Sequence, residues 1–249
     1  MNKNRNPRRI GESDFGERRG KDGVDSKGAW DVVVLSFKLL FQRINFWIKP
    51  NILAVVLSLP IITGPGAKAA LYHTVAAGLQ DPAGSEVKVR REMRNGFITH
   101  FSKALLVALL KYILLASIVA SLYFWISQPQ GIFRFVSVFS FYGLVVWWLS
   151  TVYLFPVLIT YPDLGAFKII TRAVKLAFIK PFESLLFAVV RTLLQVLGIA
   201  LLGPVLLIIP ALRAQISIQG YWLLMGKEIP GFIPIDVYSR KKFSELDER

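Results

Sequence analysis

The sequence predicts an all-α protein: a polytopic transmembrane helical bundle of about six membrane segments, or five, accompanied by interfacial amphipathic helices. Three observations predict it. Hydrophobic residues make up 54% of the 249 and the mean hydropathy is +0.50, while charged residues reach only 18%, against about 25% in a soluble domain. The charges are also segregated, because between Ala104 and Tyr161 only Lys111 and Arg134 are charged and no acid occurs. Finally, apolar stretches approaching the roughly 20 residues that cross a bilayer recur along the chain, punctuated by Gly and Pro.

Residues 1–29 are rich in Gly, Arg, Lys, Asp and Glu. Such a segment cannot bury enough surface to order itself, which predicts a disordered basic cytoplasmic tail with no cleavable signal sequence. The transmembrane helical domain occupies 30–229, and 230–249 form a cytoplasmic C-terminal tail. Residues 30–47, "WDVVVLSFKLLFQRINFW", suit an interfacial helix with Lys38 and Arg43 snorkelling toward headgroups. Residues 48–63 then enter the bilayer, with Pro50 in a first helical turn and Gly64-Pro65 ending the run. Residues 66–80 return, 104–126 span, and "SQPQG" turns the chain. Residues 133–160 span with tilt or break near Pro156. Asp163 caps a basic amphipathic helix over 163–180, in which Lys168, Arg172 and Lys175 oppose Ile169, Ala173, Leu176 and Ala177. The last spans, 183–202 and 205–225, are joined by a tight turn at Gly203-Pro204, and Glu183 occupies a first helical turn after Pro181.

The direction of the 66–80 segment follows from the basic residues. Lys88, Arg90, Arg91, Arg94 and Lys103 precede the 104–126 span, and Lys168, Arg172, Lys175 and Lys180 precede the 183–202 span. Arg240, Lys241 and Lys242 lie in the C-terminal tail, whereas 127–132 contains neither lysine nor arginine. Positively charged loops stay cytoplasmic. A single crossing at 48–63 would put the 88–103 cluster outside, so 48–80 is expected to be a hairpin and both termini cytoplasmic. Fifteen residues rise only about 22 Å through a core of roughly 30 Å, so the second arm either spans or re-enters.

On that arm Gly66, Ala70, Thr74 and Gly78 recur every four residues. This is a face of small side chains along which helices approach closely in lipid. "FWIKPNILAVV" (46–56) also echoes "AFIKPFESLLFAVV" (177–190), as duplication or as chance.

The stretch "SLPIITGPGAKAALYHTVAAGL", preceded by an apolar segment with Asn51 and followed by a basic linker and "FITHFSKALL", resembles the YesL-like family, a domain of unknown function. The resemblance covers about residues 30–226. It is carried by Leu59, Pro60, Thr63, Gly64, Pro65, Ala69, Ala70, Leu71 and Tyr72, and it departs from the family at Gly66. It implies a multi-pass protein of the bacterial plasma membrane encoded near genes for sugar uptake and polysaccharide breakdown. It implies no established activity and no catalytic residues.

Three basic residues fall at apparent bilayer depth: Lys111, Arg191 and Arg213. A charge there costs at least about 2.5–3.5 kcal/mol, so it normally faces protein or water. Arg191, Gln195 and Gly198 share one helical face, and Gln215 and Gln219 share another near Arg213. Facing each other, these helices would form a polar, positively charged cleft for a lipid headgroup, a uronic-acid sugar or a partner's carboxylate. The alternative is that the arginines and Lys111 cap carbonyls or snorkel.

Other chemistries find no pattern. The absence of cysteine excludes disulfides and thiolate metal sites. His73 and His100 stand on different elements without carboxylates at metal-ligand spacing, so no metal and no cofactor are expected. No HExxH, Walker or Ser-His-Asp pattern occurs, and "GPGAKA" lacks phosphate-loop spacing. The net charge of +14 lies in tails and loops rather than on one folded face, which argues against nucleic acid as a partner. The expected partners are the lipid bilayer and a sugar permease complex. The expected role is that of a non-enzymatic accessory or transport-associated component, and its link to carbohydrate uptake is what the family resemblance implies. The alternatives are an intramembrane lipid- or glycan-modifying enzyme and a permease scaffold.

Overall fold

The computed structural model describes residues 28–81, 88–129, 131–200, 208–227 and 229. Among them are nine α-helices, one short 3₁₀ turn and no strand. The two tails and the Gly203-Pro204 turn fall outside the described residues.

Helix α1 (Ala29–Gln42) opens with the Gly28 amide donating to the Asp31 carboxylate at 2.9 Å. It ends at Arg43, whose guanidinium donates to the Asp81 carbonyl at 2.8 Å. Val32, Leu35, Ser36 and Leu40 are buried, and α1 packs on the last helix, while Trp30, Val34 and Phe41 stay exposed.

Helix α2 (Ile44–Ser58) begins earlier than expected, so Pro50 lies inside it and not in its first turn. The chain then reverses through Leu59–Pro60 and a 3₁₀ turn, Ile61–Thr63. The Thr63 hydroxyl lies 2.5 Å from the Leu57 carbonyl and 2.7 Å from that of Pro60. It thereby offers a donor to the Leu57 carbonyl in the last turn of α2, where intrahelical partners run out, while the Pro60 carbonyl also accepts from the Thr63 amide at 2.9 Å. The corner therefore precedes Gly64-Pro65, and these two residues do not end the run; they open α3 (Gly64–Gln80). Proline suits that place because an amide in a first helical turn has no intrahelical acceptor.

The small-residue face of α3 is a packing seam. Gly66 sits against the rings of Phe97 and Phe101, and Thr74 contacts Met93 Sδ at 3.5 Å. Gly96 on the opposite helix admits His73 and the Ala70 backbone. Gly78 instead faces Phe46 and Trp47 of α2, where Trp47 is fully buried and its indole N–H donates to the Leu39 carbonyl at 3.1 Å. The hairpin expected over 48–80 thus exists as two antiparallel packed helices.

Helix α4 (Val89–Ile126) runs 38 residues, about 57 Å. The α2–α3 hairpin reaches only its middle: Gly66 meets Phe97 and Phe101, and the hairpin corner shares a cavity with Val107, Ala108 and Lys111. Beyond that level α4 pairs with α5 (Gly131–Ser150), where Ser121 and Ser140 share a hydrogen bond of 2.9 Å. The chain breaks at Thr151–Tyr153, before Pro156, which lies in the first turn of α6 (Leu154–Thr160). The two pieces are bent by 47°.

Helix α7 (Ala166–Ile179) buries Ile169, Ala173, Leu176 and Ala177, the four residues its periodicity selects. Asp163 does not cap it, because the helix starts three residues later with Gly165 at the cap. Helix α8 (Pro181–Ala200) starts at its proline with Glu183 in the first turn, paired to Lys180 at 3.1 Å. Helix α9 (Ile209–Leu224) is the centre of the bundle, buried almost without interruption from Ala211 to Trp222 and enclosed by α1, α3 and α8. It runs antiparallel to α8, with Gly198 against Ile209 and Gly220 against Phe187. The echo between 46–56 and 177–190 has no structural counterpart: Pro50 is internal to one helix and Pro181 begins another.

Among the described residues two helices, Val89–Ile126 and Pro181–Ala200, are long and apolar enough to cross a membrane, and the bent α5–α6 pair makes up to three, fewer than the about six segments expected. Only 6% of the most apolar stretch of α4 is buried. Leu106, Leu109, Ile113, Phe139, Leu193 and Ile199 lie more than half exposed, an apolar surface that suits contact with lipid.

Candidate functional site

The site is assembled around the α2–α3 corner. Below that corner lies a cavity of about 690 Å³ walled by α2, α3, α4, α6, α8 and α9. Four cations line it: Lys68 from α3, Lys111 from α4, Arg191 from α8 and Arg213 from α9. Among the described residues no carboxylate and no histidine lines it.

Among the described residues none of these four basic side chains has a carboxylate partner. Arg191 is only 7% exposed, and its Nη1 donates to the Thr151 carbonyl at 2.7 Å, at the bend between α5 and α6. That carbonyl is free because the helix stops there. Arg213 donates to the side-chain oxygen of Gln195 one helix away. The Nε atoms of both arginines are buried without a hydrogen-bond partner. Lys68 lies 5.5 Å from the Phe155 ring centre, and Lys111 lies 5.2 Å from Tyr112 and 5.5 Å from Trp147. The electron-rich faces of aromatic rings attract such cations but do not neutralise them. The two ion pairs among the described residues, His73–Glu92 at 3.4 Å and Lys180–Glu183, involve no cavity-lining side chain.

Chemically, the cavity is a set of hydrogen-bond donors with excess positive charge and apolar walls. Two guanidiniums offer paired donors matched to carboxylate or phosphate oxygens. Tyr72 completes the polar lining; its hydroxyl is 3.4 Å from Ser217 and its ring lies 5.1 Å from Phe155.

The structure brings together Arg191, Arg213 and Lys111, and it adds Gln195 through the bond to Arg213. Gln215 and Gln219 do not join them. Both are fully buried, and the Gln219 side-chain oxygen accepts from Ser36 of α1 at 2.8 Å. Two residues turn a helix by about 200°, so Arg213 and Gln215 point to opposite sides of α9. Of the resemblance-bearing residues, Leu59, Gly64, Pro65, Leu71 and Tyr72 line the same cavity. Thr63 pins the corner above it, and Ala70 is buried in the seam with α4.

Lys68 is the residue that sequence reasoning missed. A signal existed: Gly64, Lys68 and Tyr72 recur at intervals of four, on the side of α3 opposite Gly66, Ala70 and Thr74. The two histidines, in contrast, meet although they stand on different elements. Their rings are 5.5 Å apart, and His73 pairs with Glu92. Among the described residues no group of three or more His, Asp or Glu side chains could hold a metal ion.

The chain matches no family model, no curated protein and no solved structure.

Proposed function

We propose that this chain is a non-enzymatic integral protein of the bacterial plasma membrane whose basic cavity receives an anionic ligand, acting as an accessory or transport-associated component of carbohydrate uptake. One observation carries the ligand class: four basic side chains converge on one cavity that no acid among the described residues lines. Burying cations without counter-charge is expensive, and an anion that enters offsets that cost. The link to carbohydrate, a permease complex as partner and membership of the YesL-like family rest on the resemblance around Leu59–Tyr72. The cavity suits an acidic sugar better than a neutral one, because each carboxylate can pair with a guanidinium. An intramembrane lipid- or glycan-modifying enzyme would need acid and base groups at one place; Lys68, Lys111 and Tyr72 are the candidates there.

The reading is tested with intact cells and uronic-acid oligosaccharides. Cells carrying the gene are expected to bind or take up the acidic oligomer better than cells lacking it, with no difference for the neutral oligomer. Equal uptake of both oligomers with and without the gene would sink the proposal.

For topology we propose six membrane-embedded segments with both termini cytoplasmic, the α2–α3 hairpin dipping in from the cytoplasmic side. The reversal at Leu59–Thr63 and the basic residues before α4 support it. The protein has no cysteine, so Arg91→Cys, at an exposed position, gives a single label site. An impermeant thiol reagent is expected to label it only after cells are opened. Labelling in intact cells would overturn the orientation.

A further inference from the structure

The walls of the basic cavity carry information that its charges do not. Its apolar lining includes Val55, Leu59 and Ile61 at the hairpin corner and Tyr112 on α4. These same residues are 45%, 76%, 92% and 61% exposed. A residue that both lines a cavity and faces outward belongs to its rim, so the cavity opens sideways between the hairpin corner and α4. The surface it opens onto is apolar, with Ile62, Leu106, Leu109 and Ile113 also exposed beside it. A small soluble anion would use only the cationic end. It would also underfill a volume of about 690 Å³, which lies within the roughly 300–1,000 Å³ of sites for larger ligands.

We propose that the cavity holds the phosphate headgroup of an anionic lipid, admitted sideways from the bilayer, with its hydrocarbon lying along Val55, Leu59, Ile61 and Tyr112. This inference rests on the anion-binding reading above and narrows it. Phosphate oxygens accept the paired donors of Arg191 and Arg213, including the buried Nε atoms that lack partners. Lys68 and Lys111 add compact charges that phosphate tolerates in any orientation. The hydrocarbon covers rim side chains that no helix of the described chain covers.

The test uses the full chain in nanodiscs of phosphatidylcholine alone, of phosphatidylcholine with phosphatidylglycerol, and of phosphatidylcholine with inorganic phosphate in the buffer. Thermal midpoint and lipid retained in native mass spectrometry are read together. Phosphatidylglycerol is expected to raise the midpoint and remain bound, while inorganic phosphate does neither. Arg213→Gln is expected to weaken retention about tenfold, as the loss of one charge-assisted bond does. Lys111→Gln carries the same test if Arg213→Gln does not fold. Ile61→Asn should also weaken retention with every cation intact, whereas Lys168→Gln on the exposed surface of α7 should not. If inorganic phosphate reproduces the whole effect, the lipid inference falls and the anion site stands. If neither anion has an effect, both fall. Retention lost in Lys168→Gln but kept in Arg213→Gln and Lys111→Gln would place the lipid outside the cavity and overturn the proposal.

Discussion

Gly96→Val is expected to leave little folded protein. A Cβ on Gly96 would lie 2.8 Å from His73 Cβ, 3.0 Å from His73 Cγ and 3.1 Å from the Ala70 Cα. The last of these is backbone, so relief requires α3 to move away from α4. Such a movement breaks the seam along its length, because Gly66 against Phe97 and Phe101 and Thr74 against Met93 share the same interface. Overpacking of this kind costs about 1–3 kcal/mol where side chains can yield, and more where a helix backbone must shift. A chain stabilised by about 5–15 kcal/mol has limited reserve for such a loss. The check is the yield of monodisperse protein after solubilisation, with its thermal midpoint. Gly64→Ala is the control: its Cβ would meet nothing within 4 Å and its backbone is already helical. An unchanged midpoint in Gly96→Val would mean that α3 and α4 do not meet here.

Arg191→Leu is expected to remove ligand-dependent uptake while the protein stays in the membrane at near-normal abundance. Two contributions oppose each other in its stability. Removing a buried cation relieves a desolvation cost. Losing the bond to the Thr151 carbonyl leaves a polar atom at the α5–α6 bend without that donor, a cost of about 1–3 kcal/mol. Ligand affinity has no such compensation, and one charge-assisted contact corresponds to roughly tenfold or more. Arg191→Lys keeps the charge without the guanidinium fork, so a partial recovery is expected. Uptake measured at matched abundance decides the matter. Full uptake in Arg191→Leu would remove the cavity from the function.

Much of this arrangement was legible because helix geometry is periodic. The four-residue recurrence of Gly66, Ala70 and Thr74 identified the face that α3 packs on α4, although Gly78, the next in the series, meets α2 instead, and the spacing of Ile169, Ala173, Leu176 and Ala177 identified the buried face of α7. Pro181 and Glu183 marked the start of α8. Lys111, Arg191 and Arg213 were conspicuous because a charge in an apolar run demands an explanation. The corner was misplaced because Gly-Pro serves a helix start as well as a turn, and the Thr63 hydroxyl bonds that end α2 are contacts with no spacing rule. Asp163 was misassigned because its fitness as a cap says nothing about where α7 begins.

By itself the sequence determined that the chain is helical and strongly apolar, and that three of its many cations, Lys111, Arg191 and Arg213, stand inside apolar runs; the two or three helices able to cross a membrane, against about six segments expected, are a finding of the structure. Only the tertiary structure decided that Lys68, Lys111, Arg191 and Arg213 share one cavity while Gln215 and Gln219 turn away. The reason is that hydropathy sets the rotation of a helix only when one face is wet. On helices that are apolar on nearly every side, the rotation follows from where glycine meets a ring, a neighbouring backbone or a branched side chain, as at Gly220, Gly96 and Gly198.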